Sequence, residues 1–365
     1  KLIKPANIYI HSLFMYNLYN LNKQGDNMDN HKKKLSIKDI AAISGVSIAT
    51  VSRVLNNKGG YSKETEEKIN ALAKSYGYVS NMNAKSLRES KSQTIGLIVP
   101  DISNDFFATL ALHIENYSAK HNYSVFICNS ANNVQKEKDY FKSLASKCVD
   151  GIICISGLNK LTEDIIYNDI PIVCIDRYPE NNKTIPRISS DDTHAAFLAT
   201  EHLIKKGCRD IVFISSFTAD YEKKERYLGY KKALDTYGIP LDKNYILQTQ
   251  GKEPSQIEAE ILITDFLKTQ RRIDGIFASS DLAALGALYA LKRANLKVPE
   301  QVKLIGFDNT LYSRLPTPSI STIERNPKML AEKGCEVLLN MIQGKDIGSI
   351  DTIVPVVLVE RESSK

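Results

Sequence analysis

From Thr94 onward, short apolar runs alternate with amphipathic stretches, and this alternation constrains the fold more than any other feature of the chain. TIGLIVP, YSVFIC, DGIICIS, IPIVCID, RDIVFIS, DGIFASS and VKLIGFD read as strands. Phe107 to His121, Gln135 to Lys147, Thr193 to Lys206, Arg226 to Tyr237 and Leu282 to Ala294 read as helices between them. Strand and helix in strict turn make βαβ units and parallel sheets. About seven such units exceed what one sheet of this kind needs, so the pattern predicts two doubly wound lobes whose strand ends face a cleft.

Ligands of open parallel sheets gather at the carboxyl ends of the strands. Asn104, Asp105, Phe106 and Phe107 follow the first run. The two aromatics can stack on a sugar or purine ring, and Asn104 can hydrogen-bond hydroxyls. Asp176 and Arg177 end the fourth run, an acid beside a planar fork of donors suited to vicinal hydroxyls. Asp308, in IGFDNT, ends the last strand and can accept paired hydroxyl protons.

Upstream of the core stands SIKDIAAISGVSIATVSRVLN, from Ser36 to Asn56. Ser36 can N-cap a first helix with Asp39 as its capping-box acid, Gly45 can take the positive φ of a tight turn, and Ser47 can cap a second helix. Ile40, Ile43, Val46, Val51, Val54 and Leu55 recur at helical offsets, which gives each helix one apolar face. Two short helices joined by a Gly-containing turn make a helix-turn-helix. The outward set on the second helix is Ser47, Ile48, Ala49, Thr50, Ser52 and Arg53, mostly short side chains that let a helix sink into the major groove. Ser62 caps a third helix ending at Tyr76 and Gly77, and Ile69, Leu72 and Tyr76 are expected to close a small core. A three-helix core with no DNA role fits the same periodicity, but the agreement of caps, turn and small Ala41 favours a DNA-reading head.

This stretch resembles the DNA-binding heads of the LacI/GalR transcriptional regulators nearly residue for residue, with Ser44 where Ala is usual. The resemblance implies that Ile48, Ala49 and Arg53 face base edges, and that Ser47, Thr50 and Ser52 contact phosphates or edges. Ser36 and Asn56, at the two ends, join the same DNA-facing set. The segment from Ser80 to Ser90 is similar to the family's hinge helix, in which Leu87 would wedge into a minor-groove step beside Lys85. Here Ser80 replaces the usual Pro, and Lys85 a common Arg.

Thr94 to about Arg361 resembles the family's regulatory core and, through it, periplasmic sugar-binding proteins. That implies three lobe crossings, near Ser190, Thr322 and Lys345. The expected organisation is a leader or misassigned start over 1–34, a head over 35–79, a hinge over 80–92 and a core over 93–365. Lobe 1 takes about 93–190 and 323–345, and lobe 2 about 191–322 and 346–365. By the same resemblance Arg226, in ERYLGY, occupies the family's arginine position. Ser280 in SSD stands where Asn is usual, Asp105 replaces a usual Pro, and Asp176–Arg177 is similar to ribose-class binding proteins.

The net charge is +6, yet residues 31–91 alone hold twelve Lys/Arg against five Asp/Glu, which suits a polyanionic partner for that segment. The six cysteines lack C-x-x-C spacing and read as small core residues of a reducing compartment. No apolar run of about eighteen residues suggests a membrane span. The N-terminal IYIHSLFMYNLYN lacks a clean signal-peptide pattern, and residues 1–27, before Met28, are expected to be disordered. The six histidines form no HExxH, and GxSxG, Walker and GxGxxG motifs are absent, so no enzyme, metal or cofactor is expected. A sugar-binding transport receptor would share the core but has no use for Ser36 to Ser90.

The reading is therefore a cytoplasmic homodimeric repressor on a pseudo-palindromic operator of double-stranded DNA. The core, with no heptad tail, is expected to bind a small sugar, ribose first and a purine second, held between Phe106 and Phe107 and clamped by Arg177, Arg226 and Asp308. A phosphocarrier co-regulator is left unassigned by the sequence.

Overall fold

The structure, a computed structural model, describes residues 36–78, 91–155, 169–177, 184–215 and 224–365. The N-terminal 35 residues and most of the hinge, including Ser80, Lys85 and Leu87, lie outside the described residues. The chain divides into two units that meet at Met82 and Asn83.

In the first unit, α1 (Ile37–Ser44), α2 (Ile48–Leu55) and α3 (Lys63–Ser75) are each opened by a serine. Ser36, Ser47 and Ser62 accept from the backbone N–H of Asp39, Thr50 and Thr65 at 3.3, 3.1 and 3.2 Å. Asp39 completes a capping box by accepting from Ser36 N–H at 2.7 Å, so orphan donors at the helix start are satisfied in both directions. Gly45 ends α1 at φ +71°, a conformation that costs a side-chain-bearing residue. Ser44 is buried and returns its hydroxyl to Ala41 O at 3.3 Å, which is how a hydroxyl is tolerated there. Ile40, Ala41, Val51, Val54, Ile69 and Ala73 form the core. Tyr76 does not join it: it is the C-cap of α3 and 40% exposed, and Tyr78 packs there instead.

The second unit contains two parallel sheets. In chain order the first lobe supplies β1 (Thr94–Val99), α4 (Asp105–Lys120), β2 (Ser124–Asn129), α5 (Val134–Ser146), β3 (Gly151–Cys154), β4 (Ile172–Ile175) and β5 (Arg187–Ser190). The second supplies α6 (Asp192–Lys205), β6 (Ile211–Ser215), α7 (Glu225–Thr236), β7 (Ile246–Gln248), α8 (Ser255–Lys268), β8 (Gly275–Ala278), α9 (Asp281–Arg293), β9 (Lys303–Ile305), α10 (Leu311–Arg314) and β10 (Thr322–Glu324). The chain then returns through α11 (Pro327–Ile342) and β11 (Asp351–Val354), and ends beyond β12 (Val357–Val359). The strand orders are β11-β5-β4-β3-β1-β2 and β7-β6-β8-β9, all parallel. β10 and β12 pair antiparallel beside the second sheet, bridged to it from Ser321 to Ile305.

The third crossing differs from the expected position near Lys345. Asp351 to Val354 pair in register with Arg187 to Ser190, so β11 belongs to the first sheet and the chain crosses only between Val354 and Val357. The second crossing follows β10, at Arg325, because Thr322 to Glu324 pair with Val357 to Val359. Apolar residues from both faces of the sheets fill the cores, as buried parallel strands require. Where helices pair closely a missing Cβ permits the approach: one at Gly229 would run into Thr193 O and Ala196, and one at Gly286 into the backbone of Gln256. β2 departs from the buried pattern, since it is an edge strand with Phe126 and Ile127 about half exposed.

Candidate functional site

On α2, Val51 and Val54 point into the head core while Ile48, Ala49 and Arg53 are exposed. Thr50 and Ser52 are half-buried at the edges of that face. The terminal polar residues are already engaged: the Ser47 hydroxyl lies 2.9 Å from Thr50 Oγ1, and Asn56 donates its amide to Ser52 O at 2.7 Å. They fix the helix ends, and the exposed face of the helix is left to Ile48, Ala49 and Arg53. Lys68 Nζ donates to Ser44 O at 2.8 Å and so caps the end of α1 with a positive charge.

In the second unit, the residue at the centre is one that strand-end reasoning passed over. Arg325, at the second crossing, has a side chain only 3% exposed. Its Nε donates to Ser190 Oγ at 2.8 Å and lies 3.2 Å from Asp192 Oδ1. Its Nη1 donates to Asp308 Oδ1 at 3.3 Å, and its Nη2 donates to Asp176 Oδ1. Arg226 completes the cage: Nε donates to Asp192 Oδ2 at 2.9 Å, Nη1 donates to Ser279 O, and Nη2 stands 3.8 Å from Asp308 Oδ1. One guanidinium thus joins Asp176 at the end of β4 in the first lobe to Asp308 beyond β9 in the second.

Each guanidinium also lies over an aromatic ring, Arg325 over Phe106 at 4.4 Å, Arg177 over Phe107 at 5.3 Å and Arg226 over Phe307 at 3.9 Å. Such stacking holds the guanidinium plane while leaving its edges to hydrogen-bond. Phe106 and Phe107 touch edge to face with centroids 5.5 Å apart, and both are buried. No ligand ring fits between them, which corrects the expected sandwich.

The backbone at these acids is unusual. Asp176 and Asp308 have φ of +67° and +100°, and Asn309 and Asn326 have +53° and +52°. Asp and Asn tolerate this region better than other side chains, and such conformations gather at ligand sites.

Burial pushes the Asp308 carboxyl above its usual range, against the pull of Arg226 and Arg325. At Asp192 burial also pushes upward, but Arg325 and Arg226, with the Ser190 hydroxyl, outweigh it and hold the group below its ordinary value. Burial pushes the neighbouring Asp281 up to about 7, although it accepts from Thr322 Oγ1 at 2.5 Å and from Thr310 N and Oγ1 at 2.6 and 3.0 Å.

Of the expected effector residues, Phe106, Asp176, Arg226 and Asp308 converge on Arg325, and Arg177 joins the rim through Phe107 and a 3.9 Å approach to Asp176. Asn104 and Ser280 spend their side-chain oxygens as caps, accepting from Phe106 N at 3.0 Å and Ala283 N at 3.2 Å. The residues missed were Ser190, Asp192, Phe307 and Arg325. The available signal was that three of them sit on the lobe crossings already marked in the sequence. A cavity of about 610 Å³ opens beside Phe106 and Asp308, bounded by Asp105, Thr109, Arg314 and Lys328. Across it Leu311 N–H donates to Asp105 Oδ2 at 3.2 Å.

Among the described residues no His, Cys, Asp and Glu cluster could hold a metal ion, and no helix is long and apolar enough to cross a membrane. All six cysteines are free thiols.

Two family models match the chain, one for bacterial regulatory proteins of the lacI family over residues 36–81 and one for a periplasmic binding protein-like domain over residues 200–364. The chain belongs to the LacI family: it is a DNA-binding transcriptional regulator and not an enzyme. It is 35% identical over 330 residues to the ribose operon repressor of Halalkalibacterium halodurans, spanning 90% of this chain and 97% of that one. Among solved structures, a periplasmic binding protein/LacI transcriptional regulator from Alkaliphilus metalliredigens complexed with D-xylulofuranose is 33% identical, with a TM-score of 0.65 over 75% of this chain and 99% of that one. The lac repressor dimer bound to operator and the anti-inducer ONPF shares the fold, with a TM-score of 0.79 and 23% identity over 91% of this chain and 99% of that one.

Proposed function

We propose that the protein is a cytoplasmic homodimeric repressor of a pseudo-palindromic operator, controlled by a small neutral sugar, with a pentose such as ribose as first choice. The observation that carries this reading is that carboxylates and guanidiniums of both lobes meet where the chain crosses between them. A ligand bound there touches both lobes and so biases their angle. Paired hydroxyls match Asp308, Asp176 and the edges of Arg177 and Arg226. The relative named for a ribose operon and the structure holding a ketopentose support a five-carbon sugar. Ile48, Ala49 and Arg53 are assigned to base edges, and Lys85 and Leu87 to the minor groove. One head makes few contacts, which favours a dimer reading two half-sites.

Calorimetry with ribose, other sugars and hypoxanthine on wild type, Asp308→Ala and Arg226→Ala tests the effector. Ribose binding that is lost in both variants is expected. Purine binding without sugar binding, or unaltered sugar affinity in both variants, would overturn it. Analytical ultracentrifugation with operator DNA is expected to show a dimer, and a bound monomer would sink the symmetric model.

A further inference from the structure

Arg325 stands where an effector would be expected to make its own bonds. All three of its nitrogens are engaged, with Ser190, Asp192, Asp308 and Asp176, and its plane covers Phe106. The charged groups of the cage among the described residues are Asp176, Asp192 and Asp308 against Arg325, Arg226 and the half-exposed Arg177, and the nearby Glu225 is exposed. Three carboxylates therefore balance three guanidiniums. At the cavity mouth, Arg314 and Lys328 are matched by Asp105 and Glu324.

We propose that Arg325 is a specificity-determining residue, an internal cationic ligand that neutralises the carboxylate cage and reserves the cleft for uncharged effectors over phosphorylated or acidic ones. This rests on the cleft being the effector site. The physical basis is that a buried anion needs unspent donors. Arg325 directs its nitrogens to Ser190 and to the protein's own acids, so the positive charge of the cage is already balanced and an entering phosphate or carboxylate brings an unmatched anion. A neutral polyol meets no such penalty, and finds in Asp308 and Asp176 carboxylates already held in place by Arg325.

The test uses the full chain in thermal-shift and calorimetric titrations. Wild type is expected to be stabilised by D-ribose and not by D-ribose 5-phosphate or D-ribonate at the same concentration. Binding of either anion as tightly as ribose would overturn the inference. Arg325→Ala leaves a guanidinium-shaped hole rimmed by acids, so millimolar methylguanidinium is expected to raise its melting temperature saturably by several degrees, while ammonium does not. No recovery counts against the internal ligand. Should that variant not fold, Arg325→Gln retains bulk, and its ribose affinity is expected to fall at least tenfold as Asp176, Asp192 and Asp308 lose their shared counter-ion. A wild-type affinity in that variant would overturn the proposal. If no sugar binds wild type, the pentose reading fails, and methylguanidinium recovery, which needs no effector, still decides the role of Arg325.

Discussion

Asp281 shows how a single buried carboxyl can set a pH dependence. Its folded value of about 7 lies above the usual value near 4 of an unfolded aspartate. The proton is held more tightly in the folded state, so the group's contribution is fully present below about pH 4 and is lost as pH rises toward 7. Asp281→Asn can still accept from Thr310 through its oxygen and donate to Thr322 Oγ1 through its amide. The variant is therefore expected to match wild type near pH 4 and to exceed it by about 1–4 kcal/mol at pH 8, measured by urea unfolding across that range. A wild-type profile in the variant would refute the assignment. Arg53 is exposed on α2 and carries no part of the head core. Arg53→Ala should leave folding unchanged, cost on the order of 1–3 kcal/mol in operator binding and relax one base position. Fluorescence anisotropy against operator variants and random DNA checks this, and an equal loss on all sequences would reassign the residue to phosphate.

At the level of elements, Gly229 connects packing to the site. It lies one turn after Arg226 on α7, and its bare Cα lets α7 press on the first turn of α6, where Asp192 accepts from Arg226. An added methyl meets backbone oxygen, which cannot swing aside as a side chain can. Gly229→Ala should cost about 1–3 kcal/mol from overpacking, against a helix-propensity gain of about 1 kcal/mol, and should weaken effector binding with it. Chemical denaturation together with calorimetry reads both, and a more stable variant with unchanged affinity would show that the helices part freely. The sequence made much of this site legible, but unevenly. Asp308 and Asp176 could be found because a strand end announces its following residue. Arg226 could be found because its motif resembles a known one. Arg325 and Asp192 follow short strands at lobe crossings, and their pairing joins positions more than a hundred residues apart, which no local periodicity records. Phe106 and Phe107 were visible as aromatics, but their edge-to-face contact with each other depends on tertiary packing. The resemblance implies a third crossing near Lys345, and only the pairing of DTIV with Arg187 to Ser190 shows which sheet that short run joins.

In the whole molecule, closure is governed by contacts that join one lobe to the other. Leu311 N–H to Asp105 Oδ2 is such a contact, made at an exposed site. Asp105→Ala should shift the lobes toward the open form by about 0.5–1.5 kcal/mol, a few-fold to roughly tenfold change in effector affinity. Small-angle scattering of the free protein and calorimetry measure the two effects, and a change in neither would show the bond to be incidental. The late third crossing has another consequence, for dissection of the chain. β11 and β12 are separated by two residues yet serve different lobes, and α11 returns to the first lobe after the second is nearly complete. No single cut in the core yields an intact lobe, since either fragment keeps strands that the other needs. A nicked core should stay associated until denatured, and a half-gene encoding either lobe alone should produce an edge-exposed, aggregating polypeptide rather than a usable domain.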